Sequence, residues 1–321
     1  MTRGESGPRE VLRCEGAPRD LGLDQGEACA EALRTLSDSL LGPPAPRRLL
    51  RDLQRHFPQL AERLEGVGRG ARLPVRVLLR ALARELGAAS SGEHPATCAA
   101  ALWGLGPART GWGATLAWSA RPTAGPWRVR QSRPENGLPS LEIVAPWLPG
   151  GVAGVNAAGL AIACTTLEVP VAPQPFAAPA FLLVQECLQR FESVEGAEEW
   201  CTHRPAGGCA TILLADAAGE LLGVQVTDPE RARLRPEDGI LVSSETPVHR
   251  AEMAAKAMAT PGHDRSARLA LLLQQLCPPD APTPAAGSNG VAVVLDPGER
   301  QLWVVEGRER PQQFEIALRS L

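Results

Sequence analysis

The stretch Ala89-Ser90-Ser91-Gly92-Glu93-His94-Pro95-Ala96-Thr97 leads directly into the apolar run Cys98-Ala99-Ala100-Ala101-Leu102-Trp103. Before this junction the chain reads as mostly helical; after it come short strands separated by Gly/Pro turns. A cysteine opening a strand at such a switch suits a chain that cuts itself to free an N-terminal nucleophile. It also suits a small apolar residue starting a core strand, a common fate of free cysteine. Both readings stay open on the residues alone, and they decide whether the chain is an enzyme.

Outward from the junction, residues 20–87 carry helical periodicity. Leu23, Ala30, Leu33, Leu36 and Leu40 recur along 20–41, which Gly42-Pro43-Pro44 ends. Further helices are expected over Arg47–Arg55, Pro58–Glu65 and Leu73–Leu86, with an arginine-rich face turned to solvent. A first strand is expected at Glu10–Cys14, with a turn at Gly16-Ala17-Pro18. Beyond the junction the strand candidates are Cys98–Trp103, Ala114–Trp118, Trp127–Gln131, Leu141–Ala145 and Leu160–Thr165. After helices at Ala180–Arg190 and Val194–Thr202 come Cys209–Ala215, Leu221–Val226, Gly239–Val242, Val291–Leu295, Leu302–Val305 and Phe314–Leu318. One more helix is expected over Arg265–Leu276, and a Pro/Ala-rich loop over Pro278–Ser288. Strand clusters with helices between them predict an α+β domain of two packed sheets under helices. No repeat or long linker divides the chain, so residues 1–321 are expected to form one domain, with a helical 1–97 and a β-rich 98–321.

Composition excludes several classes. The formal net charge of -3 offers no global field for nucleic acid or an anionic membrane. No run approaches the ~20 apolar residues of a membrane span, and Met1-Thr2-Arg3-Gly4-Glu5-Ser6 lacks a signal-peptide core, so a cytoplasmic protein is expected. Eight cysteines without a C-x-x-C pair or nearby histidine ligands argue against a disulfide framework or metal site. Lys256 is the single lysine and tyrosine is absent, a pattern of coding bias rather than chemistry.

Four stretches, in order, resemble the isopenicillin N acyltransferase-like cysteine Ntn hydrolases. Gly16-Ala17-Pro18 through Gly22 to Gly26-Glu27 is similar to the family's G-x-P-x-x-x-G-x-x-x-G-E opening. Gly154-Val155-Asn156-Ala157-Ala158-Gly159-Leu160 resembles its G-x-N-x-x-G-L hairpin, where Asn156 is read as a turn residue at positive φ. Ala210–Gly219 is similar to its strand-D-x-x-G turn, and Asn289–Gly307 to its closing hairpin. The resemblance implies a four-layer αββα sandwich with the nucleophile at the start of an inner strand, where Cys98 falls. It implies a small-molecule amide or acyl substrate, no cofactor, and acyl-coenzyme A as a candidate co-substrate if transfer is the reaction.

The chemistry needs few partners. A thiol on a chain's first residue can give its proton to its own α-amine, whose pKa of about 8 lies near that of the thiol. Freeing that amine requires cleavage between Thr97 and Cys98. This chain also departs from the family. Thr97 and Ala99 flank the cysteine where Gly and Ser/Thr are usual, and Ala117 and Ser119 stand in place of Asn-x-Asp. Thr165-Thr166 follow the hairpin strand, and Glu245 replaces the oxyanion Asn. Cys98, Ser119 and Glu245 are the candidate catalytic residues, with Ser119 as altered partner of the amine and Glu245 as altered acid or base. The blander readings are a strand-end Ser119 and a surface Glu245 before Pro247; His94, His203 and His249 are taken as solvated or structural. Three hypotheses follow: a self-processing amidohydrolase or acyltransferase, an uncleaved binding or interaction module on the same scaffold, and an uncleaved thiol enzyme activated by His94 or Glu245.

Overall fold

The computed structural model describes residues 11–39, 47–91, 97–104, 112–120, 127–166, 178–227, 230–244, 291–306 and 312–316. The first described element, strand β1 (Leu12–Gly16), leads into α1 (Pro18–Ala28) through the Gly16-Ala17-Pro18 turn. Pro18 stands at the start of the helix, where a missing N–H costs nothing. Then follow α2 (Ala30–Ser39), α3 (Arg47–His56), α4 (Pro58–Ala71) and α5 (Val75–Ser91).

The glycines of α1 are explained by α4. Gly22 and Gly26 face Gly66 and Gly70 at a crossing so close that a Cβ on Gly22 would lie 2.0 Å from the Arg63 carbonyl oxygen. A Cβ on Gly66 would lie 2.1 Å from that of Arg19. Two helices with small residues four apart on facing sides can bring their backbones together, and this locks the helical layer to β1. It also carries α4 through its glycines to Ala71, beyond the expected end at Glu65, because packing outweighs their ~1 kcal/mol propensity penalty.

The strands form two sheets. The larger has eight strands in the order β1, β4 (Arg128–Pro134), β5 (Ser140–Val144), β6 (Ala153–Asn156), β7 (Leu160–Thr166), β8 (Cys209–Asp216), β9 (Leu221–Thr227), β10 (Glu230–Leu234). Among the described residues of this sheet, only the β1–β4 strand pair is parallel. The smaller, fully antiparallel sheet runs β11 (Ile240–Ser244), β2 (Thr97–Gly104), β3 (Trp112–Ala120), β12 (Val291–Asp296), β13 (Gln301–Glu306), β14 (Gln312–Glu315). The sheets meet face to face, β2 and β3 lying over β7 and β8, and β12 and β13 over β6. On the other side of the larger sheet, α6 (Leu182–Arg190) covers β6 and β7, α7 (Val194–His203) covers β8 and β9, and α1 covers β1 and β4. Strand β8 is therefore buried along its whole length on both faces, and it reads as an unbroken apolar run rather than an alternating one.

This is the α+β sandwich expected, seen as helix, sheet and sheet; the helix expected at Arg265–Leu276 and the loop at Pro278–Ser288 lie outside the described residues. Four readings are corrected. The helix expected over 20–41 breaks at Cys29 into α1 and α2. The Ala89–Thr97 stretch starts inside a helix, since α5 runs to Ser91. Arg63, expected on a solvated face, is buried at 1 % exposure. Asn156 does not take positive φ; Gly159 does, at +94°. Asn156 ends β6 fully buried. Its Oδ1 accepts from the Ala158 and Leu160 amides, and its Nδ2 donates to the Leu188 and Phe191 carbonyls. Strand β10 escaped notice because its Glu-Arg-Ala-Arg-Leu sequence is that of a charged edge.

Candidate functional site

Thr97 and Cys98 are the first two residues of β2, an inner strand of the six-stranded sheet between β3 and β11. The register sets Cys98 opposite Trp118 on β3 and opposite Ser243 on β11. It sets Thr97 opposite Ser119 on one side and Ser244 on the other, with Ala292 of β12 opposite Ser119. One end of this sheet therefore gathers a cysteine, a threonine and three serines from three adjacent strands. Glu245 follows Ser244 directly and lies outside the described residues, as do His94 and His249.

Alternation along the strands sorts these positions between two faces. Leu116, Val293, Leu295, Leu302 and Leu241 are buried in the core between the sheets, and the register of Cys98, Trp118 and Ser243 belongs to that inner face. Thr97, Ser119, Ser244 and Ala292 fall on the outer register. Cys98 and Ser119 are thus neighbours along the sheet end but alternate between its faces. The peptide between Thr97 and Cys98 runs between two serine-bearing strands.

The other described cysteines are poor rivals as nucleophiles. Cys14, Cys29, Cys164, Cys187, Cys201 and Cys209 are all buried. Burial pushes the Cys14 thiol up to about 11 and raises Cys29, Cys164 and Cys187 as well. Each of those four is held as an unreactive thiol at neutral pH. Cys187 and Cys201, 3.6 Å apart, share a thiol contact that ties α6 to α7. His203, taken as structural, has its Nδ1 2.8 Å from the Glu199 carbonyl one turn back.

The most elaborate polar arrangement lies elsewhere, under the helices on the outer face of the larger sheet, and the sequence reading missed it. Arg130 of β4 and Glu142 of β5 form an ion pair at 2.5 Å, both side chains fully buried. Arg130 also donates to Gln25 of α1 and, at 2.6 Å, to Gln185 of α6. The Glu142 carboxylate accepts from Ser140 (2.5 Å) and Gln185 (2.7 Å) on one oxygen, and from Arg130 and Ser132 (3.0 Å) on the other. Burial alone would raise its pKa; the guanidiniums of Arg130 and Arg63, with the Ser140 and Gln185 bonds, outweigh that and hold it low. Gln25 extends the network by donating to the Pro146 and Leu148 carbonyls, both at 2.9 Å. A signal was legible: Glu142 interrupts the apolar run Leu141–Val144, and Arg63 sits among Leu60, Leu64 and Val67 on one helix face. The spacing on the helix and strands, not the residue types, carried it.

No family model matches the chain, and no curated protein matches it. Several solved structures are similar to it. A mutant of conjugated bile acid hydrolase from Clostridium perfringens is 10% identical, covers 68% of this chain and 92% of its own, with a TM-score of 0.49. Penicillin V acylase from Agrobacterium tumefaciens is 14% identical over 68% of this chain and 86% of its own, with a TM-score of 0.46. A Caenorhabditis elegans ortholog of N-acylethanolamine-hydrolyzing acid amidase is 9% identical over 63% and 93%, also at 0.46. The chain itself folds as an α+β sandwich of two facing sheets with helices over the larger one.

Proposed function

We propose that the protein is a cysteine-nucleophile amidohydrolase or acyltransferase for a small-molecule amide or acyl donor, active after self-cleavage between Thr97 and Cys98. The observation that supports this reading is the place of that dipeptide at the start of an inner strand, with Ser119 and Ser244 opposite Thr97 and Ser243 opposite Cys98. In the first step the Cys98 thiol attacks the Thr97 carbonyl carbon, the C–N bond breaks and the nitrogen takes the thiol proton. Water then hydrolyses the resulting thioester. The freed α-amine serves as base for the thiol in each later turnover. The thiolate adds to the substrate carbonyl, the amine leaves with the proton, and the acyl-cysteine passes its acyl group to water or to a second amine. For transfer, acyl-coenzyme A fits as the donor. Donors near the oxyanion are worth roughly 3 kcal/mol each; Ser119 is proposed as the altered partner of the freed amine and Glu245 as an altered acid or base.

Cleavage would not release the front piece. Residues 1–97 supply β1 to the larger sheet, Gln25 and Arg63 to the buried network, and the α1–α4 crossing. The two chains are expected to copurify.

Intact mass under denaturing conditions, on wild type and Cys98→Ala, tests the reading. Two species ending at Thr97 and starting at Cys98, absent from the variant and together under native conditions, are the expected result. A single 34.0 kDa chain in both samples overturns self-processing. The second reading, an uncleaved binding module on the same scaffold, is favoured by the alternation that separates Ser119 from Cys98. It gains if the uncut thiol also fails to turn over small amides.

A further inference from the structure

Two thiols meet where α6 packs on α7. The Cys187 and Cys201 sulfurs stand 3.6 Å apart, and the Cys187 sulfur also lies 3.8 Å from the carbonyl oxygen of Ala197, one turn before Cys201. Both side chains are fully buried. Neighbouring contacts hold the helices close. The Phe191 and Trp200 rings pack at 5.8 Å, and a Cβ on Gly196 would come within 3.0 Å of the Phe191 ring. Phe191-Glu192-Ser193 joins one helix to the other. The two cysteines therefore stay near each other when the packing loosens, because so short a loop costs little entropy to close.

A disulfide holds its sulfurs about 2.05 Å apart, so the two side chains have to close roughly 1.5 Å between them. Neither sulfur is open to a reagent in the closed fold, and burial raises the Cys187 thiol, which keeps the attacking thiolate scarce. Oxidation therefore takes place in molecules whose α6 and α7 have partly separated. Cys164 of β7 is the rival partner, since its buried thiol responds to the charge of Cys201. It belongs to a strand bonded on both sides, to β6 and to β8, and cannot follow α7 outward.

We propose that Cys187 and Cys201 form an internal disulfide when the α6–α7 hairpin opens in the presence of a disulfide oxidant such as oxidised glutathione. One cysteine thiolate attacks a glutathione sulfur and expels a glutathione thiolate. The other attacks the mixed disulfide at the protein sulfur and expels the second. The two electrons pass to glutathione, and the two thiol protons end on the expelled thiolates. Once closed, the bond is shielded from reductant by the same burial, and it pins together the helices that cover β6 to β9. It lies on the helix side of the larger sheet and does not depend on the proposed enzymatic function.

The test incubates the whole protein with oxidised and reduced glutathione in urea, stepped up to its unfolding midpoint. The samples are returned to buffer, alkylated, and mapped by peptide mass spectrometry without reduction. The expected result is a cross-linked pair of peptides carrying Cys187 and Cys201, lighter than the two thiol forms by about 2 Da. It forms in urea below the midpoint and is absent from Cys187→Ser and Cys201→Ser. Thermal unfolding of the oxidised protein is expected about 2–5 °C above that of the reduced protein. Dithiothreitol should reverse the bond only when urea is present. Cys187 and Cys201 alkylated at every urea concentration, glutathione retained on either, or either paired with Cys164 would overturn the proposal. So would a bond that leaves the thermal midpoint unchanged, or one reduced as fast without urea as with it.

Discussion

On the helix side of the larger sheet, Glu142, Arg130, Gln25 and Gln185 tie four elements together, and each oxygen of the carboxylate accepts two hydrogen bonds. At the Thr97–Cys98 end of the smaller sheet, the central strand is Thr-Cys-Ala-Ala-Ala-Leu-Trp-Gly, and its polar residues collect at one end. The first region has the residue types usually sought in an active site, yet the carboxylate at its centre is saturated by its neighbours. The second has little besides a thiol and hydroxyls, but they stand at a strand start that a peptide cut would turn into a chain terminus. Polar richness goes with structural specificity in one place, and position along a strand carries the proposed reactivity in the other. Substitutions should therefore separate the two regions: folding energy responds on the helix side, chemistry at the strand end.

The hardest test of that division is Glu142→Met. It leaves two buried guanidiniums without a counter-charge and is expected to cost about 3–5 kcal/mol in urea unfolding. The double variant Glu142→Met/Arg130→Met should recover much of the loss, and a double variant no better than the single would mean that packing, not charge, dominates. Gly22→Ala comes next. Its Cβ meets the Arg63 carbonyl oxygen, a backbone atom that cannot move unless the helices part. A cost of about 3 kcal/mol is expected, and a fully stable variant would show that the α1–α4 crossing can slide.

Acid supplies a subtler probe. The folded-state pKa of Glu142 is held below its ordinary value of 4.5, so its contribution is complete above that value and disappears as the pH falls through the lower folded pKa. Stability should fall by up to about 1.4 kcal/mol per pH unit below pH 4.5 from this group. The slope should lessen in Glu142→Gln, as measured by unfolding at several acid pH values. The smallest effect on folding belongs to Cys98→Ala, which adds one more alanine to an alanine-rich strand. It should change stability by less than about 1 kcal/mol while abolishing cleavage at Thr97. A large destabilisation there would return Cys98 to a purely structural role.

The motifs that carried the resemblance turn out to do architectural work. The Gly16 to Gly26 run makes the strand-to-helix turn and the α1–α4 crossing. Asn156 closes the β6–β7 turn and anchors the end of α6. Asp216 accepts from the Ala218 and Glu220 amides at its own turn, and from the Val194 amide at the start of α7. These residues report the fold, and they are silent on catalysis.

Much of that fold was legible along the chain. Local physics was enough wherever apolar period, proline and glycine agreed: the α-to-β switch near Thr97, most of the strands, α6, α7 and the strand that carries Cys98, which starts one residue earlier, at Thr97. Cys98 itself was singled out by its place at that switch. What the chain by itself did not disclose was every pairing between residues far apart in sequence. Arg63 meets Ser132, Arg130 meets Gln25, and Thr97 stands between Ser119 and Ser244. An arginine on a helix and a glutamate in a strand look solvated until a second element covers them, because their cost and their reward both depend on the neighbours that burial brings. Alternation in a strand names two faces, but only the packing of one sheet on the other decides which face is inside, and so which residues share a face with Cys98.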